Sequence, residues 1–166
     1  SDQLYVWAAA SYFAEGTYPF LQPDGGYFSV YPHQLPLVAL MEGFFRIVGP
    51  FNYFAYQVLN IIFTSGTIML GYLLVREKSK SLVAALCYAF FVSSCLPLIF
   101  YSSWVYGELA CLFFTFLAAW TLCVYVRKKK MVWLIGTVFG LAMATANRKN
   151  AIILVVAFCI LGIVYA

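Results

Sequence analysis

The chain has 166 residues, 64% hydrophobic and only 10% charged, with a mean hydropathy of +0.89. A soluble domain carries about a quarter charged residues, and no single core of this size can hide so much apolar surface, so lipid must be the solvent. The net charge of +4 lies in short loops rather than on a basic face interleaved with aromatics, which sets nucleic acid aside.

Residues 1–16 read as a helix, with Leu4, Ala8 and Tyr12 as a stripe and Trp7 and Phe13 beside it. Glu15 and Gly16 end it. Few charges and many aromatics suit a helix lying in the membrane interface. Pro19, Pro23, Asp24, Gly25 and Gly26 make a turn region. A second helix is predicted from Pro32 to about Val48, with Glu42 and Arg46 spaced as an i, i+4 pair and Gly49-Pro50 as the stop. At about 1.5 Å per residue it is too short to cross a hydrocarbon core of roughly 30 Å, so it too is placed along the surface.

Five candidate spans follow, at 53–75, 82–101, 105–126, 131–147 and 150–166. The predicted fold class is therefore all-α: a transmembrane bundle over 50–166, preceded by an outer loop, 1–49, with two interfacial helices. The five cysteines all fall in apolar spans without a CxxC pair and read as small buried hydrophobes. The chain opens at Ser1 without a signal peptide and stops at Ala166 in an apolar run. It therefore reads as a piece of a longer protein, with at least one span before Asp2 and several after Ala166.

Loop charges predict the orientation. Arg76, Lys78 and Lys80 follow the first span, and Arg127 to Lys130 follow the third. With alternating spans both loops share one side, the cytoplasmic one. The first stretch, the 102–104 loop and the 148–149 turn then face outward, as do all the acidic residues except Glu77. Arg148 and Lys149 stand out, because two adjacent cations between spans face either lipid head groups or an anion held in a cavity. The outer face thus collects Asp2, Glu15, Tyr31, His33, Gln34, Glu108, Arg148 and Lys149.

The run Ser1-Asp2-Gln3, Phe13-Ala14-Glu15-Gly16, Gly26-Tyr27-Phe28, Tyr31-Pro32-His33-Gln34 and Phe45-Arg46-Ile47-Val48-Gly49 resembles the first outer loop of GT-C glycosyltransferases. These polytopic enzymes include the protein O-mannosyltransferases and the lipid A aminoarabinose transferase. Tyr106-Gly107-Glu108 resembles their second acidic position. Asn147-Arg148-Lys149-Asn150 resembles the basic turn of their third outer loop.

The resemblance implies inverting transfer of a sugar from a polyprenyl-phosphate donor to a hydroxyl of a protein or cell-envelope acceptor. Asp2 is implied as general base, and Arg148 and Lys149 as holders of the leaving phosphate. Glu108 is implied to orient the acceptor or help hold a divalent cation, Mg or Mn. Tyr31, His33 and Gln34 are implied to line the pocket. Two residues depart from the family pattern: Gln3 replaces the common second acid, and Tyr31-Pro32-His33 lacks the lysine of the Lys-Pro form. Two other classes stay open, a transporter or flippase subunit for lipid-linked sugars and a non-catalytic assembly protein. The first predicts polar residues at the bilayer midplane and interrupted helices, and the second predicts tolerance of Asp2→Asn.

Overall fold

The computed structural model describes the backbone of residues 2–21 and 26–165 and the side chains of residues 3–21 and 26–160. Pro23, Asp24 and Gly25 of the expected turn lie outside the described residues, as does the side chain of Asp2. Among the described residues every regular element is helical.

The first layer comprises α1 (Asp2–Ala14), the one-turn α2 (Tyr27–Val30), a 3-10 turn at Pro32–Gln34 and α3 (Leu35–Val48). Helix α1 buries Val6, Ala9, Ala10 and Phe13, whose spacing puts them on one helical face. The expected stripe is offset from it, since Leu4 is 59% and Tyr12 37% exposed. Ala9 and Ala10, both fully buried, let the backbone of α1 approach α3 closely on that face. Ser11 is fully buried too, on a different face of the helix; its hydroxyl donates to the Trp7 carbonyl (2.9 Å) and accepts the Phe51 N–H (3.1 Å). The helix ends as predicted. Gly16 is left-handed (φ +80), its N–H reaches the Phe13 carbonyl, and the Thr17 N–H reaches the Tyr12 carbonyl. That is the paired closure that glycine permits at a helix end.

Helix α3 begins at Leu35 rather than Pro32. An α-helix from residue 32 would need the N–H of residue 36 to bond the Pro32 carbonyl, and Pro36 has none. The Pro32 carbonyl instead takes the Leu35 N–H, which closes a 3-10 turn. Leu37, Val38, Met41 and Phe45 then face α1 in one core with Phe28, Tyr56 and Val105. The Glu42–Arg46 pair forms on the exposed face at 2.7 Å.

The second layer comprises α4 (Tyr53–Ser79), α5 (Leu82–Ser93), α6 (Leu96–Tyr101), α7 (Glu108–Lys128), α8 (Met131–Asn147), a 3-10 turn at Lys149–Ala151 and α9 (Ile152–Tyr165). The expected span 82–101 is two helices, not one. Pro97 cannot donate to the Ser93 carbonyl, so the ladder breaks at Ser94 and Cys95. Side chains cap the neighbouring helices: Asn52 accepts the Ala55 N–H (3.0 Å) and Ser81 the Ala84 N–H (3.2 Å).

Helix α7 packs along α8 and α4, and α4 also packs on α5. Gly140 brings α8 onto α7, where an added methyl would lie 2.8 Å from the Phe114 carbonyl. A hydroxyl contact of 3.1 Å joins Thr121 to Thr137 across the same seam. A second core, around Phe63, Leu109, Ala110, Phe114, Ala144 and Ala151, lies under the first. Leu59 touches both.

Val83, Phe91, Ile135 and Ile153 point outward, each at least two-thirds exposed. A protein surface this apolar belongs in lipid. Helices α4 and α7 are each long and apolar enough to cross a membrane; α5, α8 and residues 149–160 form shorter apolar helices. Cys87 and Cys159 are exposed on such faces, and Cys95, Cys111 and Cys123 are half-buried. The expectation of buried cysteines therefore fails for this chain by itself, because their helices turn those faces outward.

Candidate active site

The site is built where α7 begins and α8 ends. Side chains of α4 pin the segment that leads into α7. Asn60, buried, donates from Nδ2 to the Ser102 (3.2 Å) and Trp104 (2.9 Å) carbonyls. The Tyr53 hydroxyl bonds the Ser103 carbonyl, and the Tyr56 hydroxyl bonds the Tyr106 carbonyl at 3.3 Å. Gly107 then lies directly against the end of α8, where an added methyl would be 2.5 Å from the Asn147 carbonyl oxygen. Only a residue without a side chain fits there.

The residues on either side of that contact carry charge. Glu108 opens α7, and Arg148, in extended conformation (φ −146, ψ 115), leads the chain out of α8. An Arg148 Nη2 donates to Glu108 Oε1 as an ion pair, with side chains 44% and 27% exposed. The carboxylate also complements the N-terminal end of the α7 dipole. Its second oxygen, Oε2, is buried without a hydrogen-bond partner, as is Asn147 Oδ1. The Asn147 amide donates to the Met143 carbonyl (2.7 Å).

His33 and Gln34 of the first layer meet Asn147, Arg148, Lys149 and Asn150 around one cavity of about 50 Å³. Four of the predicted site residues thus come together from two distant parts of the chain, and Glu108 is tied to them through Arg148. Tyr31 does not line the cavity; its exposed ring stands edge-on to His33 at 6.0 Å. Glu15 lies exposed beyond the other end of α1 from Asp2.

A second hollow, of about 300 Å³, is lined by Gln3, Leu4, Trp7, Tyr53 and Val105. The start of α1 therefore lies beside the segment that enters α7. Trp7 Nε1 is buried there without a partner, and its ring meets Phe51 and Tyr53 edge-on.

Among the described residues no three His, Cys, Asp or Glu side chains come together, Glu108 is engaged by Arg148, and Gln3 is neutral. The close approach at Gly107, the pinning role of Asn60 and the burial of the Trp7 indole N–H were not foreseen from the sequence. Asn60 did leave a signal, as an amide in an otherwise apolar run.

Helices with apolar outward faces, two of them long enough to cross a membrane, define a membrane protein with a cationic corner at one end. The model of the dolichyl-phosphate-mannose-protein mannosyltransferase family matches residues 27–166, and the chain belongs to that family. It is thereby a membrane glycosyltransferase chain, of a kind that uses a polyprenyl-phosphate sugar donor. The likeness to GT-C enzymes in the sequence is borne out. Residues 1–26, Asp2 included, lie outside the matched stretch. No curated protein and no solved structure matches the chain.

Proposed function

We propose that this chain carries the catalytic face of an inverting transferase that moves a mannose-type sugar from polyprenyl phosphate to a hydroxyl of a protein or cell-envelope acceptor. The observation that carries this reading is the shared cavity of His33 and Gln34 with Arg148 and Lys149. It supports a phosphate seat with two adjacent cations and neutral donors around it.

Asp2 is assigned as the base. Its carboxylate takes the proton of the acceptor hydroxyl as that oxygen attacks the anomeric carbon from the face opposite the phosphate. The bond from anomeric carbon to phosphate oxygen breaks, and its electron pair leaves with the phosphate. Arg148 and Lys149 meet that charge as it develops. His33, Gln34 and Asn150 complete the seat, with Tyr31 behind the His33 ring. Glu108 is assigned to Arg148: a guanidinium held at one nitrogen keeps its others aimed at the anion without loss of rotamer freedom on binding. The aromatic hollow at Gln3, Trp7 and Tyr53 is assigned to the acceptor side.

The proposed topology has α4, α5–α6, α7, α8 and α9 as successive spans, α1 and α3 at the outer interface, and the basic loops in the cytoplasm. The polar residues within the helices do not favour a transporter. Thr64, Thr67, Thr115 and Thr121 each donate to a carbonyl one turn back in their own helix, so these four hydroxyl protons are not offered to a substrate.

The test is release of polyprenyl phosphate by the full-length protein supplied with polyprenyl-phosphate mannose and a serine-containing peptide. Asp2→Asn should abolish transfer while donor binding and the melting temperature persist. Retained transfer in Asp2→Asn would remove the base assignment.

A further inference from the structure

The opposite end of the bundle carries a hollow that sugar transfer does not use. It measures about 420 Å³ and is lined by Leu73, Arg76, Glu77 and Lys80 of α4 and its cap, and by Trp120, Cys123, Val124 and Arg127 of α7. Helices α4 and α7 run side by side, and the hollow lies about 18–28 Å along α7 from Glu108.

Three cations stand around a single carboxylate. Glu77 Oε1 accepts from both Arg127 (2.9 Å) and Lys80 (3.2 Å), and among the described residues Arg76 reaches no acid, only the Tyr72 hydroxyl (3.2 Å). The charge is therefore under-compensated, and the cationic heads remain largely exposed: Lys80 is 74% and Arg127 54% open. The other wall is apolar, formed by half-buried Leu73 and Trp120 and by buried Val124. Trp120 stacks edge-on with Trp133 of α8, and the Lys128 ammonium lies 5.7 Å over the Trp133 ring. Paired tryptophans under a lysine mark head-group depth, where an indole has one face in hydrocarbon and its edge in water.

A charged rim above an apolar wall matches an amphiphile with an anionic head. We infer that this hollow seats the phosphate of an anionic phospholipid in the leaflet facing away from the proposed active site, with Arg76, Lys80 and Arg127 as its ligands. Glu77 orders Lys80 and Arg127 and opposes the anion by its charge. Its removal is therefore expected to strengthen binding, a sign that a purely structural ion cluster does not give.

The experiment uses full-length protein in nanodiscs of phosphatidylcholine with one-fifth phosphatidylglycerol, released into the gas phase to weigh the lipids retained. Wild type should keep phosphatidylglycerol in preference to phosphatidylcholine. The double variant Arg76→Gln/Arg127→Gln should lose that preference by roughly tenfold, and Glu77→Gln should raise it. Inorganic phosphate at millimolar concentration separates the sources. If it leaves retention unchanged, the ligand is the lipid phosphate. If it displaces the lipid and raises the melting temperature in lipid-free detergent, the seat takes free phosphate and the lipid assignment falls. Equal retention by wild type and the double variant, with both folded, overturns the site altogether.

Discussion

At the residue scale, the Glu108–Arg148 pair has two separable contributions. As a half-exposed ion pair it is worth about 0–1 kcal/mol to stability, so its loss alone will not unfold the protein. Arg148→Gln should therefore lower the melting temperature little, yet raise the donor KM at least tenfold in the release assay. Lys149→Gln should raise it less, since Lys149 has no partner assigned to hold it. Glu108→Gln is the informative companion. If Glu108 serves to aim Arg148, this variant should raise KM with kcat nearly preserved, whereas an acceptor-orienting carboxylate would lose kcat.

Gly107 poses a harder constraint. A methyl 2.5 Å from the Asn147 carbonyl oxygen must displace backbone, not a flexible side chain. Gly107→Ala should cost about 1–3 kcal/mol by overpacking. It should also reduce transfer, because it moves Glu108 and Arg148 apart. A thermal shift in detergent together with the release assay checks both. If the variant kept full activity and stability, the close junction of α7 and α8 would have no bearing on the site.

At the element scale, packing outweighs surface charge in seating α1 on α3. The exposed Glu42–Arg46 pair contributes about 0.2–0.5 kcal/mol, while truncating buried Phe45 to alanine should cost about 3–5 kcal/mol. Ala10→Leu is the subtler probe. Its extra bulk lifts α1 from α3 without touching the cationic corner, so transfer should fall while donor binding stays. Donor affinity and turnover, measured separately, decide this.

Much of this architecture is legible in the amino-acid order and some is not, for physical reasons. Gly16, Gly49 and the charged loops announce the helix ends. The buried face of α1 is hidden because nearly every side chain there is apolar or aromatic; periodicity cannot choose a face when all faces qualify, and the small Ala9 and Ala10 choose it through contact with α3. The break at Ser94 was visible in Pro97, since a proline subtracts the bond four residues back. The same subtraction at Pro36 shifts the start of α3. His33, Gln34, Arg148 and Lys149 were legible as chemistry, but their shared cavity needed the fold. The pairing of Glu108 with Arg148 was not legible, because it depends on Gly107 letting two helix ends touch.

At the scale of the whole molecule, the proposed topology fixes which loops meet which solvent. In a cysteine-free background, a cysteine at Ser103 should react with a membrane-impermeant maleimide from outside the cell. One at Lys130 should react only after the membrane is opened. Cys87 and Cys159 must be removed first, being exposed on apolar faces. Labelling of both sites from the same side would dismantle the arrangement of spans.

The two hydrophobic cores meet through Leu59 and are otherwise filled by different residues. The first core also takes in Tyr56 of α4 and Val105 from the segment entering α7, so the outer layer is keyed into the bundle and can be recut only if those two positions are matched. Chimaeras that exchange residues 1–49 between relatives should fold where Tyr56 and Val105 are matched and, because the exchange carries His33 and Gln34 of the proposed seat, should shift donor affinity along with acceptor choice.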